Sequence, residues 1–136
     1  MTEGAGAAPA TGPLIADVVR YVRDQDRSLA FWTGPMGFEL RRDTEVPPGR
    51  RWVEIAPPGR ETGLVLLRAS DYGADPHGGE AGFTLVVADL GAFHARMVAA
   101  GVTVTEPADE GGGRYLTLTC PDGYQHVVSQ PAAPPP

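Results

Sequence analysis

The stretch Arg114-Tyr115-Leu116-Thr117-Leu118-Thr119-Cys120-Pro121-Asp122-Gly123-Tyr124-Gln125-His126-Val127-Val128-Ser129-Gln130-Pro131 holds a strand, a turn, a second strand and a stop signal. Pro121 fixes its own φ, Asp122 is expected to bond back to its own backbone, and Gly123 can take the positive φ that closes a tight turn, so 121–123 predicts a hairpin. Tyr115, Thr117 and Thr119 alternate with Leu116 and Leu118 before the turn; Gln125 and Val127 alternate with His126 and Val128 after it. That period of two predicts strands with one face buried and the other partly polar.

Working outward, residues 14–22 read as a first strand, with Asp17, Val19 and Tyr21 on one face and Val18, Arg20 and Val22 on the other. Asp24 or Asp26 caps a helix in which Leu29, Trp32 and Met36 form the apolar stripe, and Gly34, Pro35 and Gly37 end it. Strands follow at 38–42, 51–55 and 64–68, separated by turns at Pro47-Pro48-Gly49 and Pro57-Pro58-Gly59. Residues 70–81 have the Gly, Pro and Asp content of a linker. The order then repeats: a strand at 83–87, a helix capped by Asp89 with Leu90, Phe93 and Met97 in register, Gly101 at its end, an extended segment at 102–105, and the closing hairpin.

The two halves also echo each other in sequence, Val22-Arg23-Asp24 recurring as Val87-Ala88-Asp89 and Gly37-Phe38 as Gly101-Val102. A spacing of about 65 residues is too long for a solenoid and suits a duplicated module. The expected architecture is α+β: two β-α-β-β-β modules forming a cleft between curved mixed sheets, with helices on the outer faces. Module one spans 14–69, the linker 70–81 and module two 82–130, giving one domain over 14–130. A disordered tail at 1–13 and a Pro-rich tail at 131–136 flank it.

Composition restricts the function classes. A chain of 136 residues suits one domain, burying roughly two-thirds of its unfolded surface. The formal charge of −6, with no basic run, argues against nucleic acid and anionic membranes as partners. All 11 basic residues are arginine, which excludes a lysine Schiff base. The single cysteine, Cys120, cannot form an internal disulfide, and no stretch reaches the ~20 apolar residues of a membrane span, so a cytoplasmic location is expected.

Several of these stretches together carry a resemblance: Val22-Arg23-Asp24-Gln25-Asp26, Phe31-Trp32 followed by Gly37-Phe38, Arg51 to Gly59, and the hairpin core Pro121-Asp122-Gly123. In order and spacing they resemble the vicinal oxygen chelate superfamily of glyoxalases, bleomycin-resistance proteins and ring-cleaving dioxygenases, and most closely its bacterial glyoxalase/bleomycin-resistance members. The resemblance implies a fold of paired modules, a homodimer, and a cleft that in metal-dependent members carries a His on the first strand of each module and a Glu on the last. Here Asp17 stands in the first His place, Gly82 in the second and Val127 in that of the closing Glu, while 64–68 offers only Leu and Val in the remaining place. A lone carboxylate does not hold a catalytic divalent ion, which takes three or more protein ligands, so neither a metal nor another cofactor is expected. His77 and Glu80, in the linker, could swing in beside Asp17 as displaced ligands.

By strand parity Tyr21, Trp52, Thr84, Tyr115, Thr117 and Gln125 line the expected cleft, offering aromatic surface plus hydroxyl and amide groups. Glu54 shares a strand face with Trp52; the pair either lines the cleft, where the carboxylate could act as a base with raised pKa, or faces solvent at a strand edge. His126 is expected to pack away from the cleft and His94 to face solvent. Trp32 is read as core, and no histidine is locally placed to activate Cys120 as a nucleophile. These residues point to metal-independent binding of an apolar or aromatic small molecule, of the antibiotic-sequestration or natural-product accessory type. The alternative is a lyase, isomerase or cyclase using Glu54 or Asp17 as acid/base, or a metal enzyme with displaced ligands.

Overall fold

A computed structural model describes residues 12–132. The expected tails at 1–13 and 131–136 lie outside the described residues apart from Gly12, Pro13, Pro131 and Ala132.

The duplication is most visible at the helices. Asp24 takes an extended backbone, φ −136°, and accepts the Arg27 N–H at 3.1 Å, opening α1 (Gln25–Thr33). Asp89, at φ −134°, accepts the Ala92 N–H at 3.0 Å and opens α2 (Leu90–Ala99). Each carboxylate satisfies a donor that the helix itself leaves orphaned, worth about 1 kcal/mol. The exits match as well: Gly37 and Gly101 have φ of 75° and 76°, and the following residues Phe38 and Val102 donate to the carbonyls of Trp32 (2.8 Å) and Met97 (2.9 Å). The echoes in sequence therefore mark equivalent helix entries and exits.

In the first sheet β1 (Asp17–Val22) pairs in parallel with β4 (Gly63–Arg68), which pairs antiparallel with β3 (Arg50–Ala56), and β3 with β2 (Glu39–Val46). The second sheet repeats this scheme with its first strand split into β5 (Gly79–Glu80) and β6 (Leu85–Val86), both parallel to the last strand, β10 (Tyr124–Gln130). Strand β10 pairs antiparallel with β9 (Gly113–Thr119), which carries β7 (Thr103–Val104) and β8 (Ala108–Glu110) on its other edge. Two mixed sheets with one helix each make an α+β fold built from two β-α-β-β-β modules.

Some boundaries differ from expectation. Residues 14–16 are not strand, because β4 begins at Gly63 opposite Asp17 and offers them no ladder partner; Leu14 and Ile15 are left 72% and 75% exposed. Only 85–86 of the expected strand at 83–87 is strand, since Gly82, at φ 85°, turns the chain off the ladder between β5 and β6. The linker has order of its own: a 3-10 turn at Ala69–Tyr72, stopped by Gly73 at φ 64°, and then β5.

The strand residues that face the helices form one core shared by both modules, in which Trp32, Ile55 and Leu66 of module one and Leu90, Met97 and Leu118 of module two are buried. Buried polar groups join the modules. Asp122 does not bond to its own backbone as expected; its carboxylate reaches across to accept the Arg23 N–H at 2.9 Å and the Ser28 hydroxyl at 3.1 Å. The closing hairpin is thereby docked on the entry to α1. Arg20, also buried, donates to the Ala81 carbonyl and lies 3.9 Å above the Tyr124 ring. His126 is 0% exposed, with its ring edge-on to Trp32 (5.3 Å) and Phe83 (5.1 Å). Burial first, and the nearby Arg20 charge second, push its pKa down to about 4.

Candidate functional site

The helix-free face of each sheet is left open. On module one the strand registers give two complete or nearly complete rows: Val19, Val65, Glu54 and Arg42 in the first, and Tyr21, Leu67, Trp52 and Thr44 in the next. Val65 and Leu67 form a buried floor, while Val19 and Tyr21 keep 46% and 36% exposure. Tyr72 reaches the same face from the 3-10 turn, its ring 5.7 Å from that of Tyr21 and 4.5 Å from the guanidinium of Arg50. The Trp52 indole N–H donates to Glu54 Oε1 at 3.2 Å, which fixes the ring and ties one carboxylate oxygen.

At the far end of this face Asp17, Glu54, Arg41 and Glu61 line a hollow of about 760 Å³. Gly63 is required there, since a methyl group in its place would lie 2.9 Å from the Ile55 carbonyl and 3.1 Å from Asp17 Oδ1. The two carboxylates singled out in the sequence therefore do share a hollow, and Arg41, donating to the Glu61 carbonyl at 2.6 Å, forms its rim.

On module two Thr84, Thr117 and Gln125 come together with Phe83, Glu80 and Val127 around a hollow of about 370 Å³. Tyr115 lies apart from them, beside Gly111-Gly112-Gly113 and Ser129, lining a separate hollow of about 500 Å³. Each of these hollows is lined by one module. Five of the six expected lining residues are thus divided between an aromatic face, with Tyr21 and Trp52, and a hydroxyl and amide face, with Thr84, Thr117 and Gln125, while Tyr115 belongs to neither.

The groups set aside in the sequence fall as follows. Cys120 is buried, and burial pushes its thiol up, away from the reactive thiolate. Trp32 is core, 2% exposed. His94, expected in solvent, keeps only 19% exposure and stands 3.2 Å from the Glu106 carboxylate. Asp17 lies in the module-one hollow, Glu80 in the module-two hollow and His77 in the exposed linker. Among the described residues no three His, Cys, Asp or Glu side chains gather as metal ligands do. Tyr72, Arg41 and Arg50 are additions to the expected set. Arg50 was within reach of parity, alternating with Trp52 and Glu54, whereas Tyr72 sits in an aperiodic segment that gives no such signal.

The chain belongs to the glyoxalase/bleomycin resistance protein/dioxygenase superfamily, whose family model matches residues 14–128. An uncharacterized protein of Bacillus subtilis, YetH, is 31% identical over 118 residues, 85% of this chain and 97% of its own length. Among solved structures, an antibiotic-binding protein of a Streptomyces species, TnmS3, is 28% identical with a TM-score of 0.78, covering 90% of this chain and 99% of its own. A superfamily member from Sphaerobacter thermophilus is likewise 28% identical, with a TM-score of 0.81 and coverage of 89% and 99%.

Proposed function

We propose that the protein binds an apolar or aromatic small molecule on its open sheet faces, without a metal, as a sequestering or natural-product accessory protein. The observation that carries this reading is the row Tyr21, Leu67 and Trp52 with Tyr72 beside it: aromatic surface presented over a buried aliphatic floor, with one ring locked by a hydrogen bond. Rigid aromatic rings give stacking area at low entropic cost. Likeness to an antibiotic-binding protein supports a small-molecule ligand. Thr84, Thr117 and Gln125, in the module-two hollow, supply orienting hydrogen bonds. A second copy of the chain brings an open face of one module against the complementary face of the other; the apolar exposure of Val19, Val86 and Val127 supports that pairing. The site is read as cytoplasmic; among the described residues no helix is long and apolar enough to cross a membrane.

Fluorescence tests the reading. An aromatic, polyketide-like compound is expected to quench Trp52 and not Trp32. A ligand burying ~300 Å² of apolar surface gains about 7 kcal/mol before association costs, so affinity is micromolar or weaker unless well-made hydrogen bonds add to it. Trp52→Phe then removes most of the quench and weakens binding modestly, while Trp32→Phe chiefly lowers stability. Unchanged quench and affinity in Trp52→Phe refute the assignment of this face.

The second reading, an acid/base enzyme, is favoured by one observation: Asp17 and Glu54 share the module-one hollow. Turnover that disappears in Glu54→Gln, with ligand binding retained, would select it.

A further inference from the structure

The arginines of this acidic chain mostly have carboxylate or carbonyl partners: Arg23 meets Asp122, Arg51 meets Asp43 and Asp26, Arg68 meets Asp71, and Arg20 and Arg41 donate to carbonyls. Among the described residues, those with neither are exposed, with one exception. Arg50 is half-buried and, among the described residues, has no carboxylate within 4.0 Å. Its guanidinium rests on the Tyr72 ring at 4.5 Å, and alternation along β3 turns it to the same face as Trp52 and Glu54.

A guanidinium partly withdrawn from water, with an aromatic ring beneath it and no anion opposite, keeps its planar fork of donors free. The cation–π contact fixes where the fork sits without using its N–H groups. The acidic groups of this face are elsewhere: Glu54 is tied to the Trp52 indole, and Asp17 lies at the opposite end. The face therefore runs from an end where Asp17 and Glu54 stand with Arg41 and Arg42, through the aromatic row, to Arg50, where among the described residues no carboxylate stands opposite.

Resting on the reading above, we infer that the ligand is a planar aromatic anion: its rings lie along Tyr21 and Trp52, and a carboxylate or phenolate oxygen at one end is bound by Arg50. A guanidinium facing an anionic oxygen makes charge-assisted hydrogen bonds, about twice as strong as neutral ones, and a carboxylate matches the fork bidentately. Tyr72 is a positioning residue for Arg50.

The probes are 2-naphthoate and 2-naphthamide, equal in ring surface and differing in charge, titrated into the full chain and followed by backbone amide NMR. The wild type is expected to bind naphthoate roughly tenfold or more tightly than naphthamide, as one retained charge-assisted bond implies, and the preference should shrink with salt. Arg50→Gln should collapse the ratio toward one, and Arg50→Lys, keeping the charge without the fork, should restore part of it. Shifted amides should include those of Arg50 and Tyr72. Equal affinities in the wild type, or a preference that survives Arg50→Gln, overturn the inference while leaving aromatic binding intact. If neither probe binds up to its solubility limit, the aromatic-binding reading falls and this inference with it.

Discussion

His126 makes the fold sensitive to mild acid. Its imidazole is 0% exposed, wedged between Trp32 and Phe83, and no described group accepts a hydrogen bond from either ring nitrogen. Its pKa in the folded protein is pushed down to about 4, against about 6.5 in an unfolded chain. The folded state thus resists a proton that the unfolded state takes up, and the stability conferred by neutral His126 is complete above pH 6.5 and lost as pH falls toward 4. The difference of about 2.5 pKa units corresponds to on the order of 3 kcal/mol, a large share of the 5–15 kcal/mol typical of a domain. Asp43, whose pKa is lowered by its hydrogen bond to Arg51, titrates below its ordinary value of 3.8, outside this window. Urea unfolding at fixed protein concentration, from pH 7.5 to 4.5, should show the wild type losing about 2–3 kcal/mol. His126→Leu, which keeps volume and removes the titrating ring, should flatten that slope whatever its stability at pH 7.5. A wild-type slope near zero, or the same slope in the variant, refutes the assignment.

Asp122→Ala should cost about 1–3 kcal/mol, because it strands the buried Ser28 hydroxyl and the part-buried Arg23 N–H; the loss should be smaller in a Ser28→Ala background, and full additivity in a double-mutant cycle would break the claim that they are coupled. Elemental analysis after chelator-free purification should find no stoichiometric Zn, Fe, Mn or Ni; one equivalent per chain, lost with activity on chelation, would redirect attention to Asp17, His77 and Glu80. Light scattering at tens of micromolar should give a dimer mass, and a monomer mass would mean that each open face functions without a second copy.

Legibility in the sequence followed periodicity. The helix cap Asp89, the choice of Asp24 or Asp26 for the first helix, the glycines Gly37 and Gly101, and the closing hairpin were readable because each has a local cause: a carboxylate meeting an orphaned N–H, or a positive φ only glycine takes cheaply. The core positions of Leu116, Leu118, His126 and Val128 followed from alternation. What failed depended on long-range partners. Asp122 looked like a self-contained turn residue, yet its buried carboxylate serves Arg23 and Ser28, 99 and 94 positions away. Residues 14–16 continue an apolar run but have no opposing strand, a fact held by the start of β4 and not by their own composition. Tyr72 became a site residue only because a 3-10 turn carries it over the face of β1.

The same alternation separates what the sheets do for stability from what they do for a ligand. Val18, Arg20 and Val22 face the core while Asp17, Val19 and Tyr21 face outward; Leu116 and Leu118 are buried while Tyr115, Thr117 and Thr119 are half-open; His126 and Val128 are buried while Val127 keeps 39% exposure. Every position matched to a metal ligand for which the register can be read, Asp17 and Val127, falls on the outward set. Substitution there changes solvent-facing chemistry without opening a cavity in the core or stranding a buried donor, the two mechanisms that make mutations costly. Exchange of a ligand set for an aromatic row on these faces would therefore leave the fold undisturbed. By contrast, the groups that join the modules, Arg20, Asp122 and His126, point inward and carry partners or ring contacts on both sides. The chemistry of the open faces can drift while the inward groups hold the modules in register, which is how one architecture accommodates unrelated small molecules.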